Sequence, residues 1–227
     1  MGGQACVFYG AAEFSRDLDL LILSERDDLA TLTSALAALE AKVIAVPPFE
    51  LQHLVHGHAV HFRCQRADVA GLRIDLMSSL RGIAPFEEVW ARRTMIEVSG
   101  ESVDMLALQD LVLAKKTQRD KDWPMIRRLV EQSYFERSDT PGERLIRFWL
   151  RELRTPELLV EVAAAHPDLA RAEAVSRSAL QAALSARTEQ VAMALEFEER
   201  LERLADREYW APLKRELESF RRNQRKT

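Results

Sequence analysis

Ser15-Arg16-Asp17-Leu18-Asp19-Leu20-Leu21-Ile22-Leu23 is the stretch on which the fold of this 227-residue chain turns. Its apolar run has the length of a strand, and in a strand successive side chains alternate faces. Asp17 and Asp19 then point the same way, about 7 Å apart along the chain, with Leu18 on the other side. Two carboxylates at the mouth of a core strand carry a heavy desolvation cost unless opposite charge compensates, and a hard divalent cation such as Mg²⁺ does so. A solvated strand entry is the alternative reading of the spacing.

A third carboxylate extends the pattern. In Gly71-Leu72-Arg73-Ile74-Asp75-Leu76-Met77, Leu72, Ile74 and Leu76 alternate with Arg73, Asp75 and Met77, which predicts a strand with Asp75 on its polar face. If this strand neighbours the first, three carboxylates share one face and can hold two Mg²⁺ ions against the triphosphate of a nucleotide. Upstream, Gly2-Gly3 suits a backbone that approaches phosphate ahead of a helix. Downstream lies Asp110-Leu111-Val112-Leu113-Ala114-Lys115-Lys116-Thr117-Gln118-Arg119-Asp120-Lys121-Asp122.

In this order, over residues 1–135, these motifs resemble the minimal nucleotidyltransferase fold, and the last run is similar to a helix of the AbiEii/AbiGii-type toxin branch. The resemblance implies an enzyme that moves a nucleoside monophosphate from an NTP to a hydroxyl acceptor. Asp17, Asp19 and Asp75 would be catalytic and bind two Mg²⁺ ions, while Gly2, Gly3, Ser15, Lys115, Lys121 and Asp122 would bind the nucleotide. The acceptor would be RNA, tRNA or a protein, with no DNA expected. In the toxin branch, an antitoxin protein would be a partner. The chain departs from the family pattern in two places. Relatives carry a helix and a strand before the glycine pair, so a strand upstream of Met1 is expected to be missing here, and Glu13 stands where many relatives have a basic residue. These departures keep a second reading open, a catalytically idle module that binds RNA or a protein partner.

Lys115 falls seven after Leu108, four after Leu111 and three after Val112, on an apolar helical stripe, so it asks for a partner anion. A nucleotide phosphate would serve, and so would a stem that snorkels to water. Four of the five histidines, His53, His56, His58 and His61, lie within nine residues. Zinc is weighed against loop and strand histidines, since no cysteine joins them at metal spacing.

The chain is 47% hydrophobic with a mean hydropathy of −0.22, enough for one sizeable core or two small ones. No apolar run of about 18 residues and no leader pattern occur, so no membrane partner is expected and the cytoplasm is the default. Cys6 and Cys64 sit in apolar surroundings and read as reduced core thiols. Net charge is −4; residues 1–139 carry 16 basic and 21 acidic residues, against 16 and 15 in residues 140–227. The positive end Phe220–Thr227 would attract a polyanion, unless it is simply a solvated helix end.

Elements alternate over the first 110 residues. A helix is expected through Leu29, Leu32, Leu36 and Leu39, opened by the acidic stretch Glu25–Asp28. Strands are expected at 43–46, 59–64, 72–77, 94–98 and 103–106. From Leu108 onward the pattern is helical, broken at Pro124, Pro141, Pro156, Pro167 and Pro212. The predicted architecture is α+β: a small mixed sheet with packed helices over residues 1–138, then an all-α bundle over 139–227.

Overall fold

The alternating leucines of the first strands build a sheet with one dry face and one charged face. The computed structural model describes residues 1–225, with residues 26–28 described by their backbone alone. The side chains of Asp27 and Asp28 in the expected acidic helix start, and the tail residues Lys226 and Thr227, lie outside the description. Elements run α1 (Gly2–Phe8), β1 (Asp17–Leu21), α2 (Arg26–Ala38), β2 (Lys42–Val43), α3 (Leu51–Val55), β3 (Val60–Arg63), β4 (Arg73–Met77), α4 (Phe86–Ala91), β5 (Thr94–Val98), β6 (Glu101–Met105) and α5 (Leu108–Ala114). The four-stranded sheet has the order β1-β4-β3-β2, with β1 parallel to β4 and the other pairs antiparallel. The fold is therefore α+β with a small mixed sheet, as the alternation predicts.

Burial follows strand parity. Val60, Phe62, Ile74 and Leu76 join Ile22, Leu36, Leu54 and Cys64 in one core, with Leu18, Leu20, Leu29, Leu32 and Leu39 packed against it. The spacing 29, 32, 36, 39 is the stripe that lays α2 on the sheet. Each such side chain contributes about 1.5–3 kcal/mol when fully buried. The expected strand at 43–46 is shorter than its sequence suggests, because β2 is only Lys42–Val43 before the chain reaches Pro47 and Pro48.

The hairpin β5–β6 stands as a separate two-stranded sheet. Val98 pairs with Glu101, leaving Ser99 and Gly100 as a two-residue loop, and their φ angles of 53° and 84° are those of a type I′ turn. Arg92 clasps the buried Asp110 of α5 through Nε and Nη2, both at 2.8 Å. A fork-to-carboxylate pair of this kind lets an acid sit inside an apolar helix start.

The remaining helices are α6 (Asp122–Arg137), α7 (Glu143–Glu152), α8 (Pro156–Ala165), α9 (Pro167–Glu173), α10 (Ser178–Leu184) and α11 (Thr188–Gln224). The chain divides into two compact units: one takes Met1–Phe8, Ala12–Ala114 and the end from Glu208, and the other takes Tyr9–Ala11 and Lys115–Arg207. The expected cut near residue 139 thus falls inside the second unit, and the chain end from Glu208 belongs to the first. Compactness is decided by which residues share a core, and Trp123, Ile126, Leu129 and Val130 of α6 are buried in the helical unit together with Trp149, Leu150, Leu159 and Leu180.

Within that second unit a buried arginine finishes a helix. Arg177 donates from Nη1 to Leu150 O at 2.6 Å and from Nη2 to Leu153 O at 2.7 Å, satisfying carbonyls that the end of α7 leaves without partners. Glu198 balances its charge. The break expected at Pro212 does not occur, since α11 runs through it. Proline removes one backbone donor, so the helix continues there with the bond to the Glu208 carbonyl missing.

The dry face of the sheet is testable at Leu76, which is fully buried in the middle of β4. Leu76→Ala should cost about 2–5 kcal/mol in urea unfolding followed by circular dichroism. A cost under about 1 kcal/mol would show that this face is not the core of its unit.

Candidate functional site

Strand register assembles the charged face. Asp17 pairs with Arg73 and Asp19 with Asp75 across the parallel β1–β4 ladder, while His61 pairs with Asp75 and Arg63 with Arg73 across β3–β4. Since these positions alternate with the core leucines, Asp19, Asp75 and His61 form a row across three strands. The two aspartate strands, whose adjacency the sequence leaves open, are neighbours, and all three carboxylates lie on one face.

Asp75 is 7% exposed and heavily engaged. His61 Nδ1 lies 2.8 Å from Asp75 Oδ1, and Arg73 Nε donates to the same oxygen at 2.9 Å. An ionised carboxylate only accepts, so Nδ1 carries the imidazole proton, and Arg73 Nη2, 3.2 Å from that Nδ1, is a contact rather than a donor to it. Burial pushes Asp75 upward, but the hydrogen bonds from His61 and Arg73 outweigh it and hold the carboxyl below the ordinary range. The guanidinium is in turn raised, chiefly by the Asp75 hydrogen bond, with the charges of Asp17 and Asp19 adding to it.

The glycine pair is explained by close approach. Gly2 has φ +65°, and a Cβ there would stand 1.8 Å from Asp19 Oδ2; one on Gly3 would stand 2.3 Å from Ser15 Oγ. Gly3 N–H donates to Asp19 Oδ2 at 3.4 Å, and Ser15 Oγ donates to Asp17 O at 3.2 Å. α1 therefore rests directly on the strand that carries the acidic pair.

In donor chemistry, three carboxylates on one face suit a hard cation. They are not gathered into a cage: among the described residues, the three-donor group whose ligand atoms all lie within 4.8 Å of one another is His56, His58 and Glu216. Arg73 supplies the positive charge beside the aspartates instead. The residues fit Mg²⁺ in type and register, with Arg73 as its competitor.

Lys115, Lys121 and Asp122 belong to the second unit. Lys115 follows the end of α5 and its ammonium is 3.5 Å from Asp122 Oδ1. Asp122 is 2% exposed and also accepts from Thr117 Oγ1 and Arg119 Nε, both at 2.6 Å. The anion that Lys115 asks for is thus present in the sequence itself, seven residues on. Lys121 is exposed just before α6.

Two residues of the face, Arg73 and His61, escape a reading confined to acids. Arg73 carries a signal, since it precedes Asp75 by two and so shares its face. His61 gives none until β3 is known to pair with β4. A pocket of the first unit, about 80 Å³, is lined by Leu20, Leu21, Phe86, Val89, Trp90 and Met105 among others, and none of the three aspartates lines it. Trp90 stacks on Phe86 with Arg93 above it at 4.1 Å, so it packs, although it is 44% exposed. No described helix is long and apolar enough to cross a membrane. No protein-family model matches the chain, and no curated protein matches it in sequence.

Asp75 supplies a pH test with a defined sign. Its folded pKa is depressed, so its stabilising contribution is present above the unfolded value near 3.9 and is lost as pH falls through the folded value. In Arg73→Met with His61→Leu, burial acts unopposed and the carboxyl should titrate above 3.9, so that acidification from neutral pH stabilises this site. Carboxyl ¹³C NMR of Asp75 reads both cases, and an unshifted titration in the double variant would remove His61 and Arg73 as the cause.

Proposed function

We propose that the chain is a Mg²⁺-dependent nucleotidyltransferase that moves a nucleoside monophosphate from an NTP to an acceptor hydroxyl. The observation that supports it is the register that sets Asp19 across from Asp75 with Asp17 on the same face. Carboxylates so grouped repel one another, and that repulsion is relieved most directly by divalent cations carrying a triphosphate. Asp17 and Asp19 would hold two Mg²⁺ ions and Asp75 would share one. When bound, the ions would neutralise phosphate charge and acidify the acceptor hydroxyl.

The chain's own residues divide the remaining work. Asp75 is the carboxylate suited to accept the hydroxyl proton, and its hydrogen bond from His61 fixes the rotamer in which it can do so. Arg73 must yield Asp75 Oδ1 for that role, and its charge then lies beside the phosphates. Gly2 and Gly3 border Asp19 and Ser15 borders Gly3, so that a phosphate there would take over the Gly3 N–H that Asp19 Oδ2 now accepts. Lys115 has Asp122 for a partner, so its place needs no phosphate. The acceptor classes are RNA, tRNA or protein, and an antitoxin partner belongs to the same reading.

One observation favours the second reading, an idle module that binds RNA or a protein. Arg73 and His61 both occupy Asp75 Oδ1, so the third carboxylate is already neutralised without a metal. Incubation with each labelled NTP and total RNA, with and without Mg²⁺, separates the two. Transfer of label that needs Mg²⁺ and vanishes in Asp17→Asn with Asp19→Asn is the expected result, with a melting temperature no lower than wild type because like charges have been removed. Mg²⁺–NTP binding that survives the double substitution would move the metal site elsewhere. Absence of NTP binding by the wild type would leave the idle module.

A further inference from the structure

His56, His58 and Glu216 lie outside the aspartate face and take no part in the nucleotidyl-transfer reading. His56 follows α3 and His58 follows Gly57, whose φ of +99° turns the chain back on itself. A left-handed turn of this kind is open to glycine and strained for other residues. It lets both imidazoles meet one carboxylate: His56 Nε2 is 3.0 Å from Glu216 Oε1 and His58 Nε2 is 2.8 Å from Oε2. All the ligand atoms fall within 4.8 Å of one another.

The surroundings are those of a built site. Leu213, Glu216 and Phe220 recur at helical spacing on one face of α11. Phe220 packs edge-on against the rings of His53 and His58, with centroids 5.2 and 5.9 Å away. His58 is 2% exposed, so its ring is fixed by packing, whereas His56 and Glu216 have side chains 60% and 40% exposed and open the trio to solvent. An ion with bonds of about 2.0–2.2 Å to tetrahedral ligands holds those atoms about 3.3 Å apart. The two imidazole-to-carboxylate separations, 3.0 and 2.8 Å, are already of that order, and binding needs each imidazole in the Nδ1–H tautomer that frees Nε2.

We propose that His56 Nε2, His58 Nε2 and the Glu216 carboxylate bind one divalent ion of the zinc class, with a fourth position open to water. Two imidazoles select against Mg²⁺ and Ca²⁺, which take oxygen donors, and favour Zn²⁺ and its late first-row neighbours. Bound there, the ion ties the chain end from Glu208 to the turn between α3 and β3, within the first unit.

The test uses the full chain, stripped with a chelator and titrated calorimetrically with Zn²⁺ in excess Mg²⁺, which loads any hard oxygen site. One Zn²⁺ per chain is expected, with a higher melting temperature when it is bound and a visible Co²⁺ absorption on substitution. His56→Ala and Glu216→Gln alter exposed side chains, so each should melt as wild type without metal. Each should weaken Zn²⁺ by more than about a hundredfold, because losing a mere supporting contact of a ligand already costs about ten- to hundredfold. Should one variant melt lower without metal, the Co²⁺ spectrum of the other decides in the same way. Failure of the wild type to bind Zn²⁺, binding that persists near wild-type affinity in both variants, or loss of Zn²⁺ in Asp17→Asn with Asp19→Asn would each overturn the site.

Discussion

Because Leu18, Leu20, Ile74 and Leu76 must leave water together, β1 and β4 can pair only in registers of one parity. A shift by one residue would send Asp17, Asp19 or Asp75 into the apolar layer, at a desolvation cost larger than the whole stability of a small domain can absorb. Hydrophobic burial on one side of the sheet thereby sets the charge pattern on the other. The row Asp19, Asp75 and His61 is a by-product of packing before it is anything chemical.

That row is electrostatically unfinished. Asp75 is balanced by Arg73 and His61, yet Asp17 and Asp19 bring two further negative charges to the same face and draw on the same guanidinium. Arg73 answers Asp75 directly, and Arg63, in register beside it on β3, brings a second guanidinium to a face with three carboxylates. A divalent cation would complete the balance, and Arg73 would then turn outward; a protein partner rich in lysine or arginine would complete it differently. These two completions correspond to the enzyme and the idle module.

The sequence carried the sheet and its acidic face, because both depend on local periodicity. Period-two alternation in 72–77 and the Asp-x-Asp of 17–19 locate two strands and their polar sides without knowledge of pairing. What it could not carry depends on distant partners. Glu216 reaches His56 from 160 positions away, and no local pattern marks it. The unit boundary at Lys115 was hidden for a similar reason: α6 looks like one more helix of the first unit until its buried face is seen to join Trp149 and Leu159. Lys115 lies one residue past the end of α5 instead of on its stripe, and its anion, Asp122, sits seven residues on at the start of α6, a pairing that helical periodicity does not mark.

Both cysteines of the chain are buried in the first unit, and the second unit has none. Cys6 packs in α1, its thiol donating to the Gly2 carbonyl at 3.2 Å, and Cys64 sits in the sheet core at 1% exposure. A sealed thiol reacts with an alkylating reagent only when its surroundings open. The two sulfurs are therefore native reporters of opening. How readily iodoacetamide finds Cys6 reports how often α1 lifts from the acidic strand, and the reaction at Cys64 reports the opening of the sheet itself, with no foreign cysteine introduced and no signal from the helical unit.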